Sequence, residues 1–285
     1  MKHYFTIYFL VLMVNLHAQH QDKNLLDRVD VAQLKEAPYS EWYTKNFEAY
    51  RPNASFVEAL KKTKPNKYTI QIFFGSWCGD SQRELPKMMR LLKEIGFPES
   101  NVTLIGVDNS TDVYKQSPQR YETGKHIFRV PTFIVYDGKT EVSRIVEYLA
   151  ESMERDLLKI FSRQPYRSNY AAYPQVIDWK KEGLLLDENI NARGLAMKIK
   201  ESVSGDSELN ACGYVLMAQG NVKEAVTVFK INANLFPQSV NCWDSLGEGY
   251  AKAGLRDKAI QAYEYVLELD PKNENARAQL LKLKE

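Results

Sequence analysis

The chain has 285 residues, of which 44% are hydrophobic and 26% charged, the composition of a folded protein long enough for two domains. Its 38 Lys and Arg residues nearly balance 36 Asp and Glu residues, so we expect no nucleic-acid partner. The four histidines are too few for most zinc or iron sites, and we expect neither a metal nor another cofactor.

Residues 1–19 have the composition of a secretory signal peptide. Lys2 and His3 precede the uncharged run YFTIYFLVLMVNL, and Leu16-His17-Ala18 offers a cleavage site that ends on a small residue. The run is short for a membrane span, so we expect cleavage, no stable membrane span afterwards, and export to the periplasm or the medium. In an exported protein, an odd count of three cysteines indicates a free or intermolecular thiol.

Residues 20–163 have the pattern of an α/β domain with an amino-terminal helical extension. Short helical patterns at 41–50 and 55–63 come first. The later segments predict a buried α/β sheet with helices on both faces. We expect strands at 67–75, 101–108, 130–139 and 141–149, with 133–149 a hairpin, and helices at 79–95 and 151–161.

Residues 201–285 contain an internal repeat of 34 residues, in which Gly213, Ala225 and Phe229 correspond to Gly247, Ala259 and Tyr263. This period resembles the tetratricopeptide repeat, a helix-turn-helix unit. The resemblance implies an all-α helical domain of two repeats and a capping helix, joined to the first domain by a partly helical linker at 164–200. The second copy keeps the repeat residues Trp243, Leu246, Gly247, Tyr250, Ala259, Tyr263 and Pro271.

The stretch IFFGSWCGDSQRELPKM, at 72–88, runs from an expected strand through a tight turn into a helix, and Cys78 stands at the turn. Pro86 follows eight residues later, and Val130-Pro131 opens a later strand. Together these features resemble the thioredoxin superfamily over about residues 35–162, in particular bacterial exported members that carry WCGDS. The resemblance implies a thioredoxin-like fold, a cis peptide bond before Pro131 and a reactive sulfur on Cys78.

A cysteine at a helix N-terminus faces unsatisfied N–H groups and the positive end of the helix dipole, which stabilise a thiolate. We therefore expect Cys78 to be catalytic, with the Ser81 hydroxyl as a hydrogen-bond donor to it. Protein or peptide partners would bind through the repeats and through a groove beside Pro131, and an external thiol would act as reductant. The expected binding residues are Trp77, Gly79, Asp80, Val130 and Pro131.

Three departures from the family pattern argue against an efficient general dithiol reductase. Ser81 replaces the second cysteine, so a mixed disulfide on Cys78 would wait for an outside thiol. Ile72 stands where thioredoxins bury an aspartate, and Asp80 places a negative charge near the thiolate. Two functions therefore stay open: a monothiol protein for thiol-disulfide exchange, or a non-enzymatic scaffold that binds proteins.

For four other residues the sequence favours structural roles over chemical ones. Arg83 and Glu84 are expected on a solvated helix face, and Cys212 in the core between repeat helices. For His126 a surface position is favoured over an approach to Cys78. Cys242 is a further candidate to resolve a disulfide on Cys78, although the sequence gives little support for that role.

Overall fold

A computed structural model describes residues 24–187 and 189–285, so the expected signal peptide lies outside the described residues. The described chain contains one mixed sheet in the order β1-β3-β2-β4-β5. Its strands are β1 (Asp27–Val29), β2 (Tyr68–Phe74), β3 (Val102–Gly106), β4 (Thr132–Asp137) and β5 (Thr140–Val146).

The central strand β2 pairs in parallel with β3 and antiparallel with β4, and β4 forms a hairpin with β5. Gly138 in the hairpin turn has φ +59°, a conformation that favours glycine. The structure thus confirms the predicted hairpin and the strands β2 to β5. The edge strand β1, antiparallel to β3, was not predicted, because three residues are too few to show a strand period.

One face of the sheet is covered by helices and the other mainly by irregular chain. Tyr68, Ile70, Ile72 and Phe74 alternate along β2 and are fully buried in the helix-covered core. The opposite face is covered mainly by the irregular segment 107–131, so the expectation of helices on both faces was wrong in this respect. The helices of this half are α1 (Val31–Leu34), α2 (Ser40–Ala49), α3 (Ala54–Lys62), α4 (Gly79–Glu94) and α5 (Met153–Phe161).

The second half is helical, and two of its hairpins have the predicted 34-residue period. Gly220 and Gly254, with φ +82° and +73°, occupy equivalent turns between the helices of each hairpin. The helices are α6 (Ala172–Lys181), α7 (Ala192–Ile199), α8 (Asp206–Ala218), α9 (Val222–Leu235), α10 (Val240–Lys252), α11 (Arg256–Leu269) and α12 (Glu274–Lys284).

The predicted repeat residues pack as partners within each hairpin. A Cβ on Gly213 would lie 2.3 Å from the Phe229 ring, and a Cβ on Gly247 would lie 2.9 Å from the Tyr263 ring. The aromatic side chain of each second helix therefore packs directly on the backbone of the first. The other repeat residues are placed around this contact: Ala259 is fully buried, Tyr250 is half-buried, and the Trp243 Nε1 donates to the Pro237 carbonyl at 2.9 Å.

The predicted linker at 164–200 contains α6 and α7, and both helices pack onto the repeats. Ala172 and Val176 of α6 are fully buried in the same core as Phe229. Phe128 and Val146, from the sheet half, belong to this core as well. The two halves therefore share buried side chains. Within the described residues, every helix is too short or too polar to cross a membrane.

Candidate functional site

Cys78 lies where the chain leaves β2 and enters α4. A tight turn returns the Cys78 N–H to the Gly75 carbonyl at 2.9 Å, and Cys78 then acts as the N-cap residue of α4. Its side chain is half-buried, and its Sγ lies 3.4 Å from the Val130 carbonyl oxygen. The predicted strand-turn-helix setting of this sulfur is therefore confirmed, with α4 directing its first N–H groups toward the turn.

The peptide bond between Val130 and Pro131 is cis, as the sequence predicted. Both residues are buried, and the Thr132 hydroxyl donates to the Arg129 carbonyl at 2.7 Å. The Val130 N–H forms no hydrogen bond with any described residue. The turn therefore holds a carbonyl against Cys78 and keeps one backbone donor beside it.

Trp77 closes the side of the site next to the irregular segment. Its Nε1 donates to the Val107 carbonyl at 2.9 Å, and its ring packs over Gly75, where a Cβ would lie 2.5 Å from the ring. The Lys115 ammonium lies 4.8 Å from the centre of the same ring, a cation–π arrangement. Trp77 thus fixes the turn that presents Cys78. Gly79 is exposed, and nothing would obstruct a Cβ there within 4 Å.

The first half of α4 carries a chain of alternating charges. Asp80 pairs with the Arg83 guanidinium at 2.6 Å, and Arg83 also contacts Glu84 at 2.6 Å. Glu84 is buried and receives a further ion pair from Lys87 at 3.2 Å. The expected solvated face is therefore wrong for Glu84. Because Arg83 lies next to Asp80, the negative charge beside Cys78 is partly offset.

Ser81 lies in the first turn of α4 and is fully buried. Its oxygen accepts a hydrogen bond from the Gly75 N–H at 3.2 Å, which ties α4 to the end of β2. The expected donation from this hydroxyl to the Cys78 sulfur stays a prediction. A side chain at residue 81 therefore points into the protein interior.

The other two cysteines are fully buried, and all three cysteines of the described chain are free. Burial raises the pKa of Cys242 to about 11. Burial, with the charge of Glu208, raises the pKa of Cys212 well above its usual value. Cys212 is thus a core residue, as predicted, and burial keeps the sulfur of Cys242 from meeting a partner on Cys78.

His126 is half-buried, and this corrects the expected surface position. Its ring packs edge-on to Tyr173 of α6, with 6.3 Å between ring centres. Burial lowers the pKa of His126, and the charges of Arg144 and Lys181 lower it further. The small cavity that His126 lines lies between β5 and α6 and does not include Cys78. His126 is therefore a residue of the contact between the halves.

Two residues near the site were missed by the sequence analysis. Tyr148 is 50% exposed, and the nearby charge of Asp80, followed by that of Glu147, raises the pKa of its hydroxyl. Arg129, adjacent to Val130, pairs with Glu147 at 3.3 Å and donates to the Ser207 carbonyl of α8 at 2.7 Å. Neither contact has a sequence signal, because both join positions that are distant along the chain or on different elements. No group of three or more His, Cys, Asp or Glu side chains in residues 24–187 and 189–285 could hold a metal ion.

A model of the thioredoxin family matches residues 30–156. A peptide-N(4)-(N-acetyl-beta-glucosaminyl)asparagine amidase from Caenorhabditis briggsae is 29% identical over 115 residues, which cover 40% of this chain and 17% of that protein. The chain therefore spans less than a fifth of that relative's length.

Two solved structures are similar to a part of the chain. The second TPR domain of human RPAP3, in complex with the HSP70 peptide SGPTIEEVD, is 19% identical, with a TM-score of 0.30. The first TPR of Spaghetti (RPAP3), bound to the HSP90 peptide SRMEEVD, is 16% identical, with a TM-score of 0.29. Each match covers 41% of this chain, together with 95% and 93% of those chains.

The family match contains strands β2 to β5, the Cys78 turn and the cis Pro131. The helical hairpins beyond it have the 34-residue period and the glycine-aromatic contacts described above. This chain joins a thioredoxin-like domain to carboxy-terminal repeats of the tetratricopeptide type.

Proposed function

We propose that the protein carries out thiol-disulfide exchange with protein partners through Cys78. The observation that carries the proposal is the position of the Cys78 sulfur. It is half-buried at the start of a helix of 16 residues, and 3.4 Å from the carbonyl before the cis Pro131. The nucleophile in disulfide exchange is a sulfur that can meet a partner disulfide, and a half-buried sulfur at the start of a helix is placed to do so.

In the first step the Cys78 thiolate attacks one sulfur of a partner disulfide. A bond forms between Cys78 and that sulfur, the partner's S–S bond breaks, and its second sulfur leaves as a thiolate. Another thiolate of the partner can then attack the mixed disulfide and release Cys78, which isomerises the partner without net oxidation. Two equivalents of an external low-molecular-weight thiol can act instead. The first attacks the partner sulfur of the mixed disulfide and releases the Cys78 thiolate; the second attacks the new disulfide between partner and small thiol, so the partner is reduced and the two small thiols leave as their disulfide.

The turn at Val130 supports the binding of an extended partner segment. Its N–H, which no described residue accepts, would pair with a carbonyl of a segment that lies beside Cys78. Tyr148 is exposed at the same end of the domain, close enough to Asp80 for the carboxylate charge to act on its hydroxyl. These groups would orient the partner without contributing to the sulfur chemistry.

The repeats are suited to choose the partner, because the first repeat begins next to the site. Ser207 of α8 accepts a hydrogen bond from Arg129, the neighbour of Val130. A protein held on Cys78 would therefore also meet the start of the repeats. Export to the periplasm or the medium, inferred from residues 1–19, agrees with this chemistry because disulfides persist in oxidising compartments.

A second function, a non-enzymatic protein-binding scaffold, is favoured by one observation. Ser81 replaces a second sulfur, and the remaining cysteines are fully buried. In the described structure, no cysteine of the chain is placed to release a partner from Cys78. A scaffold would need no such release.

Trapping of mixed disulfides distinguishes the two functions. The exported protein is run on non-reducing gels beside Cys78→Ser and the matched variants Cys212→Ser and Cys242→Ser. We expect adducts that added small thiol removes, that vanish in Cys78→Ser and that persist in the other two variants. Adducts that persist in Cys78→Ser would contradict the proposal, and the lack of any adduct would favour the scaffold.

Restoring a second sulfur gives an independent arm of this test. In Ser81→Cys the new thiol would lie in the buried position one turn beyond Cys78, so it should expel a bound partner and shorten the lifetime of the adduct. Lys93→Cys, at an exposed position near the far end of α4, is the matched control. Equal lifetimes in both variants would contradict the proposed geometry.

A further inference from the structure

A cavity of about 500 Å³ opens on the side of the repeats formed by their second helices. It lies between α9, the turn that joins α10 to α11, and the short 3₁₀ helix Leu184–Leu186. Its apolar lining includes Leu185, which is 1% exposed, and Val226, which is 7% exposed. The volume is within the range of cavities that enclose a ligand or a side-chain anchor, about 300–1,000 Å³.

Three lysines surround this cavity without acidic partners. Lys223 and Lys230 lie two turns apart on α9, and Lys258 lies in the first turn of α11. No ion pair of theirs occurs in the described structure, and the Lys258 ammonium instead lies 6.0 Å from the centre of the Tyr250 ring. Asp187 is the sole acidic residue among the described lining residues. The local excess of positive charge contrasts with a net charge of only +2 over the whole chain.

Two leucines extend the apolar surface beyond the cavity. Leu186 is 51% exposed and Leu255 is 41% exposed, and both line the cavity mouth. Because these side chains adjoin the apolar cavity, they enlarge the contiguous apolar surface that a partner could cover. The lining therefore combines a buried apolar floor, an exposed apolar mouth and three unpaired cations.

We propose that this cavity, with Lys223, Lys230 and Lys258, is a docking site for an acidic protein segment that inserts one large aliphatic or aromatic side chain. The carboxylates would meet the three lysines, and the inserted side chain would cover Leu185 and Val226. The charge complementarity argues for an acidic partner, and the enclosed floor argues for a side-chain anchor rather than a flat polyanion. This site lies outside the sulfur chemistry and gives the repeats a way to retain a partner.

The test is a selection of peptides on the full chain carrying Cys78→Ser, so that no disulfide can form. A random twelve-residue peptide display library is the probe. We expect selected peptides with several Asp or Glu residues around one Leu, Ile or Phe, and with affinity that falls as salt is raised. A synthetic copy of one selected peptide is then measured by fluorescence anisotropy.

The charge-reversed variant Lys223→Glu, Lys230→Glu, Lys258→Glu should weaken the binding of that peptide at least tenfold. A control variant reverses the same number of charges at three other exposed lysines: Lys45→Glu, Lys139→Glu, Lys272→Glu. Its affinity for the peptide should stay within twofold of the parent's. Leu186→Ser with Leu255→Ser, both exposed in the native chain, should weaken binding without unfolding. Circular dichroism checks that each variant is folded.

Several results would overturn the inference: no enriched peptide, enrichment without acidic residues, or equal loss in the charge-reversed and control variants. Binding of phosphatidylglycerol vesicles by the three-lysine site, without peptide binding, would assign the cavity to lipid and reject a protein segment. Because the assay uses Cys78→Ser, its failure leaves the sulfur chemistry untouched, and failure of the trapping experiment leaves this site untouched.

Discussion

The sequence predicts the roles of some residues around Cys78 but not of others. The turn, the helix start and the cis Pro131 follow from a short motif whose geometry is local. The ion pairs of Arg83 with Asp80 and Glu84 do not, because a helix face gives no sign that Glu84 is buried. The charge balance beside the sulfur is therefore learned from the structure alone.

His126 gives a pH-dependent prediction at the same scale. Its pKa is lowered in the folded chain by burial and by Arg144 and Lys181, with Glu141 and Asp178 opposing. The unfolded chain therefore takes up a proton more readily as the pH falls through the ordinary histidine value of 6.5, and folding stability is lost there. Above that value both states are neutral and the residue contributes no pH dependence.

His126→Asn should reduce the loss of unfolding free energy between about pH 7 and about pH 5. Asparagine tolerates the positive φ of +56° at this position, which a larger aliphatic residue would not. Urea unfolding at the two pH values provides the measurement. An identical pH dependence in the variant and the parent would show that the folded state does not lower the pKa of His126.

Among the elements, the repeat hairpins are where the structure agrees most closely with the prediction from the sequence. Gly213 and Phe229, and their counterparts Gly247 and Tyr263, were aligned from the 34-residue period and turn out to be packing partners. The fixed spacing of 34 residues arises because the same glycine-aromatic contact recurs in each repeat. By contrast, β1 and the segment 107–131 have no period, and their places depend on distant contacts such as Asp27 with Gly106.

Gly213→Ala should destabilise the protein by about 1–3 kcal/mol, because the new Cβ would overlap the Phe229 ring. Gly205→Ala, where no atom lies within 4 Å of the new Cβ, is the matched control and should change stability little. In the double variant Gly213→Ala, Phe229→Leu, the smaller leucine should leave room for the new Cβ and recover part of the lost stability. Additive losses in the double variant would contradict direct packing of this pair.

The helix α12 is expected to cap the repeats by covering the core of the last hairpin. Two neighbouring leucines, one buried and one exposed, allow this role to be tested. Leu280 is 8% exposed and packs with Val266 of α11, whereas Leu281 is 66% exposed. Leu280→Ser should lower the unfolding free energy by about 2 kcal/mol or more, and Leu281→Ser should change it little. Deletion of 274–285 should lower it as well. A truncated chain that melts unchanged would reject the capping assignment.

Across the whole molecule, the two halves share buried side chains, a contact that the sequence left open. Phe128 and Val146 of the sheet half are buried with α6, and Arg129 donates to the Ser207 carbonyl of α8. The sequence predicts a thioredoxin-like unit followed by a unit of helical repeats, and it contains no signal for contacts between them. The segment 164–200 is accordingly better packed than its irregular composition suggested.

Limited proteolysis should therefore begin in a narrow part of the predicted linker. Residues 162–165 and 167 are exposed, whereas α6 and α7 bury side chains in the shared core. Trypsin should cut first after Arg163 or Arg167. First cuts inside α6 or α7, identified by mass spectrometry of the fragments, would show that the shared core is not formed in solution.

The central proposal is that the Cys78 turn presents a reactive sulfur. Alkylation by iodoacetamide at about pH 6, where an ordinary thiol with a pKa of about 8.5 is almost fully protonated, tests it most directly. The rate at Cys78 is followed by peptide mass spectrometry, with glutathione in the same tube as the reference thiol. We predict that Cys78 reacts at least several-fold faster than glutathione, and that buried Cys212 and Cys242 stay unmodified. A rate at Cys78 equal to or below that of glutathione would contradict the account and leave the scaffold function.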